Sequence, residues 1–257
     1  MIMLIDVGNT NIVFGVSNGG ELTDTWRIAT AAERSVDELG MLILQFLNIK
    51  NVKHEEIDDI IICSVVPPIM FGLLAALRRY IGREPVIVDP NSDLGINIKY
   101  ENKHEVGADR IVNAIAAREI YGAPCVVVDF GTATTFCAID KSGDYAGGAI
   151  LPGIKISLEA LFAKAAKLPR IEIAECDSVI GTNTVSSMQA GIFYGYVGSV
   201  DYIVENMVGE LGGGKTAVVA TGGLSRLIAK RSRTIQTIDR SLTLRGLMII
   251  YNGMRDV

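Results

Sequence analysis

Two stretches of the chain read Leu4-Ile5-Asp6-Val7-Gly8-Asn9-Thr10 and Val127-Val128-Asp129-Phe130-Gly131-Thr132-Ala133. The aspartates and the glycines are both displaced by 123 residues, and the later glycines Gly20 and Gly143 have the same displacement. An apolar run that ends in a carboxylate and a glycine predicts a strand followed by a tight turn. A repeat of this length indicates two duplicated domains rather than a stacked array of short units.

Each half is predicted to open with three antiparallel strands, since glycine turns separate its apolar runs. A further strand is expected at 215–220 and another at 85–89. A helix is expected over Leu39–Leu47, after the capping-box pair Ser35 and Glu38. Further helices are expected from just after Asp109 to Glu119, after Gly153 through Leu161, after Thr184, and over 242–251. We expect domains at 1–120 and 121–257, with the active site in the cleft between them.

The stretch Ile60–Leu77 has no charged residue and approaches the length of a membrane-spanning helix. Pro67 and Pro68 divide it, and proline is favoured in the first turn of a helix and not in its interior. The sequence therefore predicts a strand at 59–66 and a new helix from Pro67, without a membrane span.

Composition excludes several classes of function. The 24 basic and 29 acidic residues give a net charge of −5, which argues against nucleic acid as a partner. With only His54 and His104, a histidine metal site or a Ser-His-Asp triad has little support. The four cysteines, Cys63, Cys125, Cys137 and Cys176, lack zinc-site spacing and are expected to be reduced. The apolar start, five residues long before Asp6, is too short for a signal peptide, so we expect a cytoplasmic protein.

The two Asp-x-Gly turns suggest a shared anionic ligand. Glycine lets the backbone approach a phosphate closely, small polar side chains donate hydrogen bonds, and the carboxylate organises a cation. A single turn of this kind is more often an ordinary hairpin. Two in phase, together with Thr221-Gly222-Gly223 after another apolar run, favour phosphate binding.

These three motifs resemble the two phosphate motifs and the adenosine motif of the actin, sugar-kinase and heat-shock chaperone ATPase superfamily. Four further stretches resemble the type III pantothenate kinase family: Gly107-Ala108-Asp109-Arg110, residues 147–153, Gly181-Thr182-Asn183-Thr184 and residues 242–246. The resemblance implies an α/β fold of two duplicated ribonuclease-H-like (actin-like) domains. Each would hold a mixed sheet with antiparallel opening strands and flanking helices.

The resemblance also implies an activity, ATP-dependent phosphorylation of pantothenate to 4'-phosphopantothenate, the first step of coenzyme A biosynthesis, by a cytoplasmic homodimer. Phosphoryl transfer needs a phosphate cradle, cations, a pocket for the alcohol and a base. The family pattern places the cradle at Asp6, Val7, Gly8, Asn9, Thr10, Asn11, Ile12, Val13 and Thr132. It places pantothenate at Tyr100, Gly107, Ala108, Asp109, Arg110 and Thr184.

Asp109 is the expected base. A carboxylate just before a helix can be held by N-terminal amides, although a plain helix cap followed by an exposed arginine has the same pattern. Arg110 could attract the pantothenate carboxylate. Without the resemblance, Tyr100 would be interpreted as a packing residue and Thr184 as a helix N-cap.

Two kinds of cation are implied. Asp129 matches the family's ligand for a monovalent cation, potassium or ammonium. Magnesium would be held mainly through ATP phosphates and water, with Asp6 as an outer partner. Val13 occupies a position at which some relatives have a lysine, which raises the question of how this chain meets the phosphate charge.

Two other functions remain open at this stage. One is another enzyme of the same fold, such as a sugar kinase or an exopolyphosphatase-like hydrolase, because fold does not fix function. The other is a regulator like the Bvg accessory factor described in the same family. The acidic composition argues against its direct binding to DNA.

Overall fold

The computed structural model describes residues 1–255, which form two compact units. The first unit comprises residues 1–95, 102–116 and 242–255, and the second comprises 96–101 and 117–241. Each unit contains one five-stranded sheet.

The strands of the first sheet are β1 (Ile2–Val7), β2 (Asn11–Asn18), β3 (Glu21–Ala29), β4 (Asp59–Ser64) and β5 (Val86–Ile87). The second sheet contains β6 (Cys125–Phe130), β7 (Ala133–Ile139), β8 (Tyr145–Pro152), β9 (Ala217–Gly222) and β10 (Thr237–Ile238). The helices are α1 (Val36–Ile49), α2 (Pro67–Tyr80), α3 (Ala108–Tyr121), α4 (Ile154–Lys164), α5 (Thr184–Glu210), α6 (Ser225–Ala229) and α7 (Leu242–Arg255).

The two sheets have equivalent topologies. The first runs β3-β2-β1-β4-β5, and the second runs β8-β7-β6-β9-β10. The first three strands of each are antiparallel, while β4 and β9 pair in parallel with β1 and β6. The bounds of β6 are those of β1 shifted by 123 residues, and Gly20 and Gly143 both have positive φ, at 85° and 81°. The duplication inferred from the sequence therefore extends through the whole of each sheet.

Local sequence signals explain several element boundaries. The Ser35 hydroxyl accepts a hydrogen bond from the Glu38 N–H, and the Glu38 carboxylate accepts one from the Ser35 N–H, so the expected capping box begins α1. Pro67 and Pro68 occupy the first turn of α2, directly after β4. None of the helices within residues 1–255 is both long and apolar enough to cross a membrane.

Each unit has its own apolar core. In the first, one face of the sheet packs on α1 and α2 through side chains that include Phe14, Trp26 and Leu73. In the second, β6, β7 and β9 pack with α4 and α5 around Phe136 and Phe193. All four cysteines are free thiols, three of them buried, as expected from their spacing.

Two segments fall outside the single boundary expected near residue 120. The last helix, α7, packs against β1, β2 and β4 of the first unit. Its Gly246 lies so close to α3 that a Cβ there would be 2.5 Å from the Val112 carbonyl oxygen. Residues 96–101 pair with Tyr145 of the second unit. Both placements depend on packing between distant parts of the chain, which local patterns do not encode.

Smaller differences concern short elements. The strand expected at 85–89 is only two residues long, and the one expected to reach Val66 ends at Ser64. Helix α6 and strand β10 were not expected, because five and two residues are too few to show a periodicity.

Candidate functional site

The first Asp-x-Gly turn, which begins at Asp6, is closed by hydrogen bonds from two directions. Within the turn, the Gly8 N–H donates to the Asn11 carbonyl at 3.0 Å. From the end of β3, the Thr30 N–H donates to the Thr10 carbonyl at 3.0 Å and the Thr30 hydroxyl donates to the Gly8 carbonyl at 2.6 Å. The carbonyls of Gly8, Thr10 and Asn11 thus all accept hydrogen bonds from within the protein, which favours a rigid loop. The polar residues Asn9 and Thr10 of this loop are exposed.

The equivalent turn of the second unit depends on a close backbone contact. The Gly131 N–H donates to the Ala133 carbonyl at 3.1 Å, and Thr132 is exposed. A Cβ on Gly153 would lie 2.0 Å from the Thr132 carbonyl oxygen. Gly153 has a φ of −66°, which any residue can adopt, so glycine is required here for space. Gly153 therefore supports the turn that carries Thr132.

Asp129 lies next to this turn, near the end of β6, and is half-buried. In the parallel register it pairs with Thr221, and the next residue, Gly222, has a φ of 87°. A Cβ on Gly222 would lie 2.5 Å from the Asp129 Oδ1. The Thr221-Gly222-Gly223 motif and the second acidic turn are thus in direct contact within the second unit.

Asp109 lies in the first turn of α3, where its Oδ1 accepts a hydrogen bond from the Arg110 N–H at 2.8 Å. The absence of a side chain at Gly107 makes room for this arrangement, because a Cβ there would be 2.6 Å from the same Oδ1. Burial raises the pKa of the Asp109 carboxyl above its ordinary value, and the Arg110 N–H and guanidinium partly oppose the rise. This carboxylate is therefore a stronger base than an exposed aspartate.

The charges of Asp6 and Asp109 both influence the buried thiol of Cys63. Cys63 pairs with Asp6 in the parallel register of β4 and β1, and its side chain is fully buried. Burial raises the pKa of the Cys63 thiol well above its ordinary value, and the charges of Asp6 and Asp109 add to the rise. Both carboxylates thus act electrostatically on the same buried thiol of the first unit.

The two residues that flank Asp109 on α3 are buried. Arg110 is only 7% exposed and Ala108 only 5%. The interpretation of Asp109 as a helix cap followed by an exposed arginine is therefore wrong for Arg110. A buried guanidinium beside the carboxylate stabilises its charged form.

Tyr100 lies on a segment that extends the second sheet. The Lys99 N–H donates to the Tyr145 carbonyl at 2.8 Å, and the Tyr145 N–H donates to the Asn97 carbonyl at 2.9 Å. The Lys99 ammonium contacts the Asp140 carboxylate at 2.5 Å and the Asp144 carboxylate at 2.9 Å. The Tyr100 ring packs on the Tyr145 ring with centroids 6.4 Å apart. Tyr100 thus packs on the second sheet and is half-exposed.

Thr184 begins α5 but does not cap it. The cap is Asn183, whose side chain accepts a hydrogen bond from the Ser186 N–H at 2.9 Å, so the expected N-cap role of Thr184 is wrong. Thr184 is exposed and lines a cavity of about 500 Å³ with residues that include Leu161, Met188 and Ile192. The residues that line this cavity do not include Tyr100 or Asp129.

A second cavity, of about 430 Å³, lies in the same unit. Its lining includes Leu158, Phe162, Arg170 and Leu224, and the Arg170 guanidinium lies over the Phe162 ring at 4.7 Å. Leu224 directly follows the adenosine-like motif. Across residues 1–255, no group of three or more histidine, cysteine, aspartate or glutamate side chains could hold a metal ion.

The structure also reveals a counterpart that the sequence comparison missed. Cys63 and Ser64 end β4 where Thr221 and Gly222 end β9, and a helix follows in each unit. The residues differ in type, so similarity could not find the match. The shared order of acidic turn, parallel strand and helix could have indicated it.

Known proteins are similar to this chain in sequence and in fold. The family model described as type III pantothenate kinase matches residues 2–206. A protein described as a Baf family transcriptional activator from Campylobacter jejuni is 21% identical, with a TM-score of 0.61 and coverage of 99% of this chain and 100% of that chain. A protein described as a 2-dehydro-3-deoxygalactonokinase from Sinorhizobium meliloti is 13% identical, with a TM-score of 0.62 and coverage of 100% and 98%.

A third structure, described as an N-acetylmannosamine kinase from Listeria monocytogenes, is 13% identical with a TM-score of 0.54 and covers 99% of each chain. Identities this low show the fold alone. The predicted fold class, two actin-like α/β domains with mixed sheets and flanking helices, is confirmed.

Proposed function

The chain belongs to the type III pantothenate kinase family, and from this membership we propose how its residues carry out the reaction. It is a kinase that transfers a phosphoryl group from ATP to pantothenate, and it uses a divalent cation with ATP. The observation that carries the assignment of roles is the Asp109 carboxylate. It is half-buried, it accepts a hydrogen bond from a helix amide, and its charge, like that of Asp6, raises the pKa of the Cys63 thiol.

In the proposed reaction the primary hydroxyl of pantothenate attacks the γ-phosphorus. Asp109 accepts the hydroxyl proton, the new phosphorus–oxygen bond forms, and the bond to the β-phosphate oxygen breaks, which releases ADP. Because Oδ1 already accepts the Arg110 N–H, we assign proton transfer to Oδ2. A base with a raised pKa matches the operating pH better than an ordinary aspartate.

Residues from both acidic turns bind the triphosphate in this proposal, Asp6 to Val13 from the first and Thr132 from the second. The closed first turn supports the assignment because Thr30 holds the backbone carbonyls of Gly8 and Thr10, on either side of the exposed Asn9. The adenosine end lies beside 220–224, and the apolar walls of the neighbouring cavity, Leu158, Phe162 and Leu224, suit a purine ring. Tyr100, Gly107 to Arg110 and Thr184 bind pantothenate.

The proposal includes two cations, magnesium with ATP and a monovalent cation at Asp129. The magnesium ion, held through ATP phosphates and water, would neutralise the charge of the transferred group. That arrangement fits a chain whose described residues include no cluster of three ligands. Asp129 would hold the monovalent cation, and Gly222 places no side chain against its Oδ1.

We expect Asp129→Ala to abolish the dependence on potassium, or activity altogether, because the cation loses its charged ligand. Initial rates of ADP release at equal ionic strength in potassium and in sodium would measure this. A variant that keeps the potassium activation of the parent protein would place the cation elsewhere.

We also propose that two copies assemble into a homodimer in the cytoplasm. Val179, Ile180, Val185 and Tyr202 are exposed apolar residues on α5 and just before it, as expected of an interaction surface. The free thiols fit a reducing compartment.

Sedimentation equilibrium tests the assembly. We expect twice the chain mass of 27.6 kDa at micromolar protein. A mass of one chain over the same concentration range would contradict the dimer.

A substrate panel tests the activity itself. The acceptors are D-pantothenate, N-acetylmannosamine and 2-dehydro-3-deoxygalactonate, each with ATP and magnesium in potassium buffer. We expect ADP release only with pantothenate. Turnover of either sugar without turnover of pantothenate would make this chain a sugar-type kinase.

A further inference from the structure

A row of four residues crosses the first sheet at the end that carries the phosphate turn. The registers pair Cys63 with Asp6, Asp6 with Val13, and Val13 with Arg27. Directly paired residues of neighbouring strands project from the same face of a sheet. The side chain of Arg27 therefore leaves the sheet on the face that carries Asp6.

The burial pattern confirms that this is the face away from the main core. The next row consists of Val7, Ile12 and Ile28, which are buried and belong to the core with α1 and α2. In the row of Arg27, by contrast, Asp6 and Val13 are half-buried and Arg27 is exposed, and Cys63 is buried but does not belong to that core.

Arg27 is also close to the turn itself. Two strand spacings of about 4.8 Å separate its backbone from that of Asp6, a gap that a long arginine side chain largely spans. Three residues after Arg27, Thr30 makes the two hydrogen bonds that hold the carbonyls of Gly8 and Thr10. The backbone that carries Arg27 is thus fixed to the proposed phosphate loop.

The charge of Arg27 has no protein partner among residues 1–255. Its side chain makes neither a hydrogen bond nor an ion pair, whereas other charged residues nearby do. Asp24 on the same strand pairs with Lys50, and Arg34 donates to the Ala29 carbonyl. An arginine fixed beside an anion-binding turn and left unpaired is available to an anionic ligand.

We propose that Arg27 binds the phosphates of ATP and supplies the cation that Val13 does not. This inference rests on the proposed function, because it requires ATP at the first turn. A guanidinium can donate two parallel hydrogen bonds to phosphate oxygens, and a valine leaves room for it to cross β2. Arg27 is then a nucleotide-binding residue on β3, outside the Asp6 to Val13 segment.

The test is equilibrium binding without an acceptor. Ligand-observed NMR titrations with magnesium-ATP and with adenosine are compared for the parent protein, Arg27→Met and the control Lys53→Met, which removes an exposed cation elsewhere in the same unit. We expect Arg27→Met to weaken ATP binding about tenfold, the factor that one charge-assisted hydrogen bond provides. Adenosine binding by that variant, and ATP binding by the control, should not change.

A second variant keeps the proposal open to contradiction. Val13→Lys added to Arg27→Met returns a cation to the neighbouring position and should restore part of the ATP affinity. ATP affinity of Arg27→Met within twofold of the parent would show that Arg27 is an ordinary solvated arginine. Equal weakening of ATP and adenosine would indicate a structural role and would also overturn the proposal. If the parent protein binds no ATP, the kinase assignment fails, which is a different outcome from either of these.

Discussion

Asp109→Asn should lower kcat for pantothenate by about 10²- to 10⁴-fold, the range that general base catalysis contributes. The amide has nearly the shape of the carboxylate and can still accept the Arg110 N–H, but it cannot take the proton of the hydroxyl. ATP binding should remain close to that of the parent, since Asp109 is assigned to the acceptor alcohol. Single-turnover rates and ATP titrations measure the two effects separately.

The stability of Asp109→Asn shows whether a loss of turnover is caused by misfolding. The pKa of Asp109 is raised on folding, so between the ordinary and the raised pKa the folded chain binds more protons than the unfolded chain, and stability falls as the pH rises. Above the raised pKa the buried charge has its full cost, which asparagine avoids. Asp109→Asn should therefore be at least as stable as the parent at pH 7, with the difference disappearing below the ordinary pKa.

Near-normal turnover by this variant would remove Asp109 from the role of base. Loss of turnover together with loss of thermal stability at pH 7 would leave the role unsupported, because misfolding would account for it. A third outcome, weaker ATP binding with unchanged single-turnover rates at saturation, would assign the residue to the nucleotide.

Gly153→Ala should disturb both stability and ATP binding, through the turn that carries Thr132. The added Cβ would lie 2.0 Å from the Thr132 carbonyl oxygen and 2.9 Å from that of Gly131, so the backbone of the turn must move. Overpacking of this kind costs about 1–3 kcal/mol of stability. The displaced turn should also raise KM for ATP.

Gly209→Ala is the matched control, because Gly209 lies in α5 and a Cβ there would meet no atom within 4 Å. In a helix this change stabilises by at most about 1 kcal/mol. Unchanged ATP kinetics in Gly153→Ala would show that the turn tolerates the displacement or that Thr132 does not contact ATP.

Repetition made much of the fold predictable. The match of Asp6 with Asp129 and of Gly20 with Gly143 placed three strands in each half, and the bounds of β1 and β6 agree with that displacement. Local chemistry explained the beginnings of α1 and α2, because a capping box and a proline pair act within one helical turn.

Features that depend on long-range packing were not predictable. Nothing near Leu242 indicates that α7 joins the first unit, since its position is set by contacts such as that of Gly246 with Val112. The choice of Asn183 over Thr184 as the cap depends on backbone conformation, because both residue types can serve.

The candidate site shows the same division. The acidic turns and Asp109 stand out in the sequence because glycines and carboxylates recur together. Arg27 does not stand out, because its place beside Val13 and Asp6 arises from the pairing of β1, β2 and β3. The roles of Gly153 and Gly222 can be recognised only from the atoms that lie next to them in the structure.

The most direct measurement is mass spectrometry of D-pantothenate incubated with ATP, magnesium and potassium, with the parent protein and with Asp109→Asn side by side. We expect the parent protein to convert pantothenate into a product heavier by one phosphoryl group, with ADP in equal amount, while the variant forms about a hundredth as much or less in the same time. Equal product from both proteins would contradict the role of Asp109. No phosphorylated pantothenate from the folded parent protein at millimolar ATP would contradict the kinase assignment.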